Sequence, residues 1–138
     1  AALLQADGVH VGQSDCSIQQ ARAILGKSAC IGVSAHNLEE ARMAQQGGAD
    51  YIGCGAVFGS ATKQDATPLS RETLRTICQG VSIPVVAIGG ITAQNVQQLA
   101  GSGIQGIAVV SAIFGQPDKT EAARQMHQLA NQVCGGAQ

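Results

Sequence analysis

Short apolar runs alternate with amphipathic segments along the whole chain. The apolar runs, rich in Val and Ile, predict buried strands at residues 8–11, 29–33, 51–54, 85–88 and 106–110. Between and after them, helical spacing predicts helices at 17–25, 38–46, 70–79, 93–100 and 121–133. Such alternation is typical of βαβ units, so the sequence predicts an α/β fold with a parallel sheet. An open doubly wound sheet and part of a (β/α)8 barrel both fit the pattern.

Polar residues and glycines predict where these helices begin and end. Asn37 precedes Leu38 and favours a helix start, and Thr120 is expected to do the same for the last helix. Three similar tetrapeptides, at 6–9, 49–52 and 104–107, mark positions where a helix gives way to a strand. The repetition supports a series of equivalent βα units.

The stretch from Val85 to Asn95 predicts an anion site. A run expected to be buried on both faces is followed by Gly89 and Gly90, whose backbone can lie bare against a ligand. Thr92 can cap the next helix, whose N-terminus would attract a phosphate. A tight βα turn without a ligand is the alternative. Because a second strand ends nearby in Val110 and Ser111, two strand ends can hold one phosphate.

Three further groups of polar residues follow predicted strands. The long connection 55–68 carries Ser60, Thr62 and Lys63, suited to phosphate oxygens, with Asp65 placed to pair with the lysine; a solvated polar loop is the alternative.

Asp15 follows His10 and the first strand, and it is either a helix cap or a ligand for Mg2+. Ser34 and His36 follow the second strand, where a role at the helix start is the alternative. Because the carboxyl ends of parallel strands share one edge, these groups are expected to converge on one site.

Composition narrows the classes of function. The 138 residues suffice for one domain, and a net charge of −1 with 12% charged residues provides no basic face for nucleic acid. No apolar run approaches the roughly 20 residues that span a bilayer, so a cytoplasmic protein without membrane contact is expected.

The five cysteines are an odd number without a Cys-x-x-Cys pair, which predicts small buried side chains in a reducing compartment. Cys54 as a nucleophile is the alternative, but no partner for it is evident.

Six stretches, in order and across nearly the whole chain, resemble the thiamine phosphate synthase family. They are Ala6-Asp-Gly-Val-His-Val-Gly-Gln-Ser-Asp15, Ile31-Gly-Val-Ser-Ala-His36, Ala49-Asp-Tyr-Ile-Gly53, Thr62-Lys-Gln-Asp-Ala66, Val86-Ala-Ile-Gly-Gly-Ile91 and Val109-Val-Ser-Ala-Ile113. The resemblance implies a (β/α)8 barrel, of which residues 1–138 form a single domain of about five βα units from the C-terminal part. The family's Gln-Leu-Arg-x-Lys and Asn-Asp motifs do not occur in this sequence. We therefore expect a fragment that lacks the N-terminal strands and is poorly active alone.

The resemblance also implies a reaction. The family joins 4-amino-2-methyl-5-(diphosphooxymethyl)pyrimidine to a thiazole ethyl phosphate and releases pyrophosphate, with Mg2+ on the diphosphate. Asp15 would be the Mg2+ ligand, and the catalytic residues Ser34 and Lys63 would contact the pyrimidine. The thiazole phosphate would be bound by Ser60, Ala61, Thr62, Gly90, Val110 and Ser111.

Two alternative functions also fit this sequence. The related thiazole tautomerases share the barrel and use a histidine at about the position of His36. A non-catalytic phosphate-binding remnant of a fused protein is a second alternative. Unclosed sheet edges favour association, so a homo-oligomer is possible.

Overall fold

The computed structural model describes residues 1–59 and 68–135. Strands and α-helices alternate, and a 3₁₀-helix occurs near the start and again after the fourth strand. The α-helices and strands are β1 (Gly8–Val11), α1 (Ile18–Leu25), β2 (Cys30–Ala35), α2 (Leu38–Gln46), β3 (Tyr51–Gly55), α3 (Arg71–Gly80), β4 (Val85–Ile88), β5 (Gly106–Ala108), α4 (Ser111–Phe114) and α5 (Lys119–Val133). The 3₁₀-helices are Ala2–Leu4 and Val96–Leu99. Within the described residues, no helix is both long and apolar enough to cross a membrane.

The five strands form one parallel sheet in the order β1-β2-β3-β4-β5. Each strand pairs in parallel with the next one along the chain, for example Ile52 beside Val85 and Val86 beside Gly106. The predicted parallel α/β fold is confirmed. All five strands end at one edge of the sheet, which we call the carboxyl rim.

The two faces of the sheet differ in burial. Alternate residues such as Ile31, Ile52 and Val85 are fully or almost fully buried, whereas Ile88 on the opposite face is 44% exposed. The expectation that β4 is buried on both faces is therefore wrong for the described residues. A doubly wound sheet carries helices on both faces, and a barrel carries them only outside. The one-sided burial favours the barrel alternative.

Side-chain caps fix most helix starts. Asn37 Oδ1 accepts a hydrogen bond of 2.8 Å from the Glu40 amide, which confirms the predicted start of α2. The predicted start of α5 is two residues too late, because Asp118 rather than Thr120 is its cap and accepts from the Glu121 amide at 2.9 Å. An aspartate carboxylate two residues upstream provides the stronger acceptor.

The helix predicted at 93–100 is wrong. Only the four-residue 3₁₀-helix Val96–Leu99 forms there, and Thr92 does not cap it. Instead, the Thr92 amide donates to Asn95 Oδ1 at 2.8 Å, and Asn95 Nδ2 donates to the Gly90 carbonyl at 2.8 Å. An asparagine that bonds nearby backbone in this way competes with the helical ladder. The predicted phosphate site at an α-helix N-terminus therefore does not exist in that form.

Polar residues at the helix-to-strand joints hold neighbouring strands together. Asp50, just before β3, accepts from the Ile31 amide at 2.7 Å and from Arg22 at 2.9 Å. Gln105, just before β5, accepts from the Val85 amide at 2.8 Å. The hydrogen bond from Ile31, and then that from Arg22, lower the pKa of Asp50. Each joint thus satisfies a backbone donor at the start of the adjacent strand.

We expect Asp50→Ala to lower the free energy of unfolding by about 1–3 kcal/mol, because it leaves the Ile31 amide without its acceptor. Asp7→Ala is the matched control at the equivalent joint before β1, and we expect a change within about 0.5 kcal/mol for this exposed side chain. Urea denaturation followed by circular dichroism measures both. Equal losses in the two variants would contradict this role of Asp50.

Candidate active site at the carboxyl rim

The loop after β1 is closed by its own side chains and attached to the end of β2. Asp15 Oδ2 accepts from the Gly12 amide at 2.7 Å, and Gln13 Nε2 donates to the Ser34 carbonyl at 2.6 Å. Ser17, not Asp15, caps α1. The capping alternative for Asp15 is therefore wrong, and its carboxylate lies in the loop next to the end of β2.

Asp15 fits a magnesium ion only as one ligand among several. Its side chain is exposed, and one of its oxygens is used by the Gly12 amide. Within residues 1–59 and 68–135, no group of three His, Cys, Asp or Glu side chains is arranged to hold a metal. Mg2+ commonly takes one or two carboxylates together with substrate phosphates. The donor set is thus compatible with an ion that arrives with a diphosphate.

Ser34 lies within β2, so the prediction that it follows this strand is wrong by two residues. Its hydroxyl makes no bond at the start of α2; it lies 2.9 Å from Nε2 of His10. Nδ1 of the same imidazole lies 3.0 Å from the hydroxyl of Tyr51. The structure thus joins three strands through polar side chains on the less buried face of the sheet.

Sequence reasoning missed this connection, because it depends on the register between strands. His10 and Tyr51 project from the same face as Ser34, which only the pairing of His10 with Gly32 and of Gly32 with Tyr51 reveals. Partial burial lowers the pKa of His10, while the charge of Asp15 acts in the opposite direction. Burial likewise raises the pKa of Tyr51, with a smaller effect of Cys30. Burial therefore favours the neutral form of both the imidazole and the phenol.

The glycine pair after β4 packs against the beginning of the long connection. Gly89 and Gly90 have φ angles of +99° and +66°. The Phe58 amide donates to the Gly89 carbonyl at 3.1 Å, and a Cβ on Gly90 would lie 2.4 Å from the Gly59 carbonyl oxygen. Close backbone approach within the protein therefore already requires these glycines. Gly90 is nevertheless exposed.

Val110 and Ser111 leave β5 next to the glycine pair, because β4 and β5 are paired in parallel. Val110 is 70% exposed, and Ser111 opens the short helix α4. Ser111 and Thr92 both line a hollow of about 630 Å³ that reaches α5. Of the residues predicted to bind phosphate at these two strand ends, Ser111 lines this hollow, whereas Gly90 and Val110 do not.

Ser60, Ala61, Thr62, Lys63 and Asp65 lie outside the described residues, and their roles stay predictions. Both described ends of the connection are at the carboxyl rim, since the Leu69 amide donates to the Ala56 carbonyl at 2.7 Å. The connection therefore leaves β3 and returns to α3 at the carboxyl rim. Strand β3 is the middle strand, with β1 and β2 on one side and β4 and β5 on the other.

The cysteines differ from one another in environment. Cys54 is fully buried, and this burial, with smaller effects of Cys78 and Glu40, raises the pKa of its thiol to about 12. Its burial and raised pKa thus disfavour a nucleophilic thiolate at Cys54 near neutral pH. The expectation of buried cysteines is wrong for Cys16 and Cys30, which are exposed.

These features define a class of protein. The chain has sequential parallel βα units, helices against one face of the sheet and polar groups at the carboxyl rim. This arrangement is typical of (β/α)8-barrel enzymes, whose ligands bind at that end. The fold agrees with 3-hexulose-6-phosphate synthase from Salmonella typhimurium, which matches with a TM-score of 0.71 over 93% of this chain and 63% of that one, at 23% identity.

Sequence comparison identifies the family. The model of the family "Thiamine monophosphate synthase" matches residues 1–113, so the chain belongs to this family. It is 53% identical to the thiamine-phosphate synthase of Ruminiclostridium cellulolyticum over 90% of its own length and 59% of that protein. A solved thiamine phosphate pyrophosphorylase from Pyrococcus furiosus matches with a TM-score of 0.85 and 41% identity, over 96% of this chain and 63% of that one. The chain thus spans about three fifths of these relatives.

We expect Gly90→Ala to destabilise the protein more than Gly101→Ala. Both glycines have positive φ, but a Cβ on Gly101 meets open space, whereas one on Gly90 meets the Gly59 carbonyl. The control variant should lose about 1–2 kcal/mol from backbone strain alone. The Gly90 variant should lose at least about 1 kcal/mol more from crowding. Urea denaturation measures both, and equal losses would show that residues 56–59 do not hold the glycine turn.

Proposed function

We propose that this chain acts in thiamine phosphate synthesis, with 4-amino-2-methyl-5-(diphosphooxymethyl)pyrimidine and a thiazole ethyl phosphate as substrates, and thiamine phosphate and pyrophosphate as products. The observation that carries the proposal is the arrangement of Asp15, Ser34, Gly90 and Ser111 around one carboxyl rim. Membership of the family and the 53% identity to a thiamine-phosphate synthase support it.

The pyrimidine would bind at β1 and β2. Asp15 would hold Mg2+ together with the diphosphate, and the ion would neutralise charge on the leaving group. Ser34 would contact the pyrimidine, and Lys63 would reach its diphosphate. The loop geometry supports this assignment, because Gln13 attaches the Asp15 loop to the end of β2.

The thiazole phosphate would bind at β4 and β5. Its phosphate would meet the backbone of Gly90 and Val110 and the hydroxyl of Ser111, with Ser60, Ala61 and Thr62 on the third side. Asp118 and Glu121 also line the adjacent hollow, and their carboxylates repel anions. The phosphate is therefore expected next to Ser111 and away from α5.

The chemistry needs placement and charge stabilisation more than a nucleophilic side chain. The bond between the methylene carbon and the diphosphate oxygen breaks, the electron pair leaves with pyrophosphate, and the thiazole nitrogen captures the resulting cation. Holding both reactants in line accounts for much of such a rate enhancement. The raised pKa of Cys54, to about 12, agrees with a reaction that uses no thiolate.

The remaining assignments follow from the same proposal. Both substrates are small phosphorylated molecules, Mg2+ is the cofactor, and the enzyme acts in the cytoplasm. Strands β1 and β5 are the outer strands of the described sheet, and pairing along them would give a homo-oligomer.

We expect the chain to bind the thiazole ethyl phosphate, and Ser111→Ala to weaken binding about tenfold, the size of one lost hydrogen bond to a charged group. Ser28→Ala is the matched control: Ser28 is exposed and precedes β2 at the opposite edge of the sheet. Isothermal titration calorimetry measures both. No binding by the parent chain, or equal weakening in both variants, would overturn the proposal.

A thiazole tautomerase is the second candidate, and a contact of His36 favours it. The His36 amide and Nδ1 lie 2.8 and 3.0 Å from Oε2 of Glu40. Partial burial acts to raise the pKa of Glu40, but hydrogen bonds from His36 and Asn37 outweigh it and the pKa is lowered. An ionised Glu40 favours the Nδ1–H tautomer and leaves Nε2 available for proton transfer.

Tautomerisation of the thiazole phosphate separates the two candidates. For a synthase, we expect the parent chain and His36→Asn to show equal, background rates, because His36 then only fixes the start of α2. Nuclear magnetic resonance of the thiazole substrate measures the rates. Catalysis by the parent chain that His36→Asn abolishes would replace the synthase proposal by the tautomerase.

A further inference from the structure

His10 stands at the centre of a hydrogen-bonded chain that the reaction described above does not use. Its Nδ1 lies 3.0 Å from the Tyr51 hydroxyl, and its Nε2 lies 2.9 Å from the Ser34 hydroxyl. The three side chains come from β1, β2 and β3 and lie on the face of the sheet that the helices do not cover. The hydrogen-bonded chain leads from Tyr51, the first residue of β3, to Ser34 near the carboxyl end of β2.

Two glycines make room for the rings. A Cβ on Gly32 would lie 2.0 Å from Cζ of Tyr51, and a Cβ on Gly53 would lie 2.7 Å from Cε1 of His10. Any other residue at these positions would displace the rings. The ring centroids are 5.4 Å apart and tilted by 38°. The backbone of β2 thus allows this placement of the phenol, and that of β3 allows this placement of the imidazole, because both residues are glycine.

A neutral imidazole carries one proton, so its two contacts must have opposite polarity. If Nδ1 carries the proton, the Tyr51 oxygen accepts a hydrogen bond from Nδ1–H, and the Ser34 hydroxyl donates a hydrogen bond to Nε2. The Ser34 oxygen can then only accept a hydrogen bond from a ligand. If Nε2 carries the proton, Tyr51 donates to Nδ1, Nε2 donates to Ser34, and the serine proton is available for a ligand. The tautomer therefore decides the polarity that Ser34 presents.

The acidity of the two hydroxyl groups selects between these arrangements. A phenol is a far stronger acid than an aliphatic alcohol and is the better donor to an imidazole nitrogen. Tyr51 is half-buried, and within the described residues His10 is the one hydrogen-bond partner of its hydroxyl. Donation from Tyr51 to Nδ1 therefore satisfies the phenolic proton, whereas the other tautomer leaves it without an acceptor there.

We infer that His10 is a positioning residue, held as its Nε2–H tautomer by Tyr51, which makes the Ser34 hydroxyl a hydrogen-bond donor to an acceptor atom of the pyrimidine substrate. The identity of that ligand rests on the proposed function; the tautomer does not. Ser34 touches the substrate, and His10 acts through it.

Long-range ¹H–¹⁵N correlation spectra of the imidazoles test the tautomer in the chain without ligand. We expect His10 to show a protonated Nε2 and an unprotonated Nδ1 at neutral to mildly basic pH. Tyr51→Phe should remove this preference and give a mixture of tautomers, while Ser34→Ala should keep it. An Nδ1–H tautomer in the parent chain, or an unchanged spectrum in Tyr51→Phe, would overturn the inference.

Two substitutions of His10 separate positioning from general structural support. The amide of Gln reaches the place of Nε2 and can still donate to Ser34, whereas the shorter Asn reaches only the place of Nδ1. We expect His10→Asn and Ser34→Ala each to weaken binding of the pyrimidine diphosphate about three- to tenfold, and His10→Gln to stay within about twofold of the parent. His127→Asn on the exposed face of α5 is the matched control and should change nothing.

The double variant His10→Asn with Ser34→Ala should bind no more weakly than Ser34→Ala alone, because both changes remove the same hydrogen bond to the ligand. Additive losses would show that His10 does not act through Ser34. Absence of pyrimidine binding in the parent chain would overturn the proposed function and the ligand part of this inference. The tautomer would still be decided by the spectra, which are recorded without ligand.

Discussion

Parallel hydrogen bonding between strands that neighbour each other in the sequence is the constraint on which the rest of this structure depends. Because β1 to β5 pair in chain order, their carboxyl ends share one edge, and every loop that leaves this edge begins next to the following one. The loop after β1 is attached to the end of β2 through Gln13 and Ser34, and the glycine turn after β4 is joined to the residues after β3. The parallel hydrogen bonding between the strands therefore brings the residues of the candidate site to one edge without any ligand.

The opposite edge of the sheet carries polar groups with a different purpose. Asp50 accepts a hydrogen bond from the Ile31 amide near the start of β2, and Gln105 accepts one from the Val85 amide at the start of β4. Each bond helps to hold a strand beside its neighbour. Loops at the carboxyl rim contain exposed polar residues such as Asp15 and Ser111. In barrels of this type, residues at the carboxyl end of the strands supply the chemistry and residues at the opposite end supply stability. The hydrogen bonds of Asp50 and Gln105 agree with the second role.

The less buried face of the sheet explains why polar and small residues occur in strands at all. His10, Gly32, Ser34, Tyr51 and Gly53 alternate with fully or largely buried aliphatic residues on β1, β2 and β3. The glycines accommodate two rings that a Cβ would displace, and the rings place polar atoms against a serine at the end of β2. Packing on this face therefore positions the imidazole of His10 against the Ser34 hydroxyl, whereas packing on the other face buries apolar surface.

The sequence by itself determined the order and type of most elements, because hydrophobic spacing and caps such as Asn37 act over a few residues. It also placed Asp15, Gly90 and Ser111 beyond the carboxyl ends of strands, although β5 ends at Ala108 rather than at Val110. It failed where a side chain competes with the local pattern, as Asn95 does with the helix expected at 93–100. Only the tertiary structure decided which face of each strand is covered and that His10 meets Tyr51 and Ser34, 41 and 24 residues away. Those contacts depend on the register between strands, which no local stretch of sequence encodes.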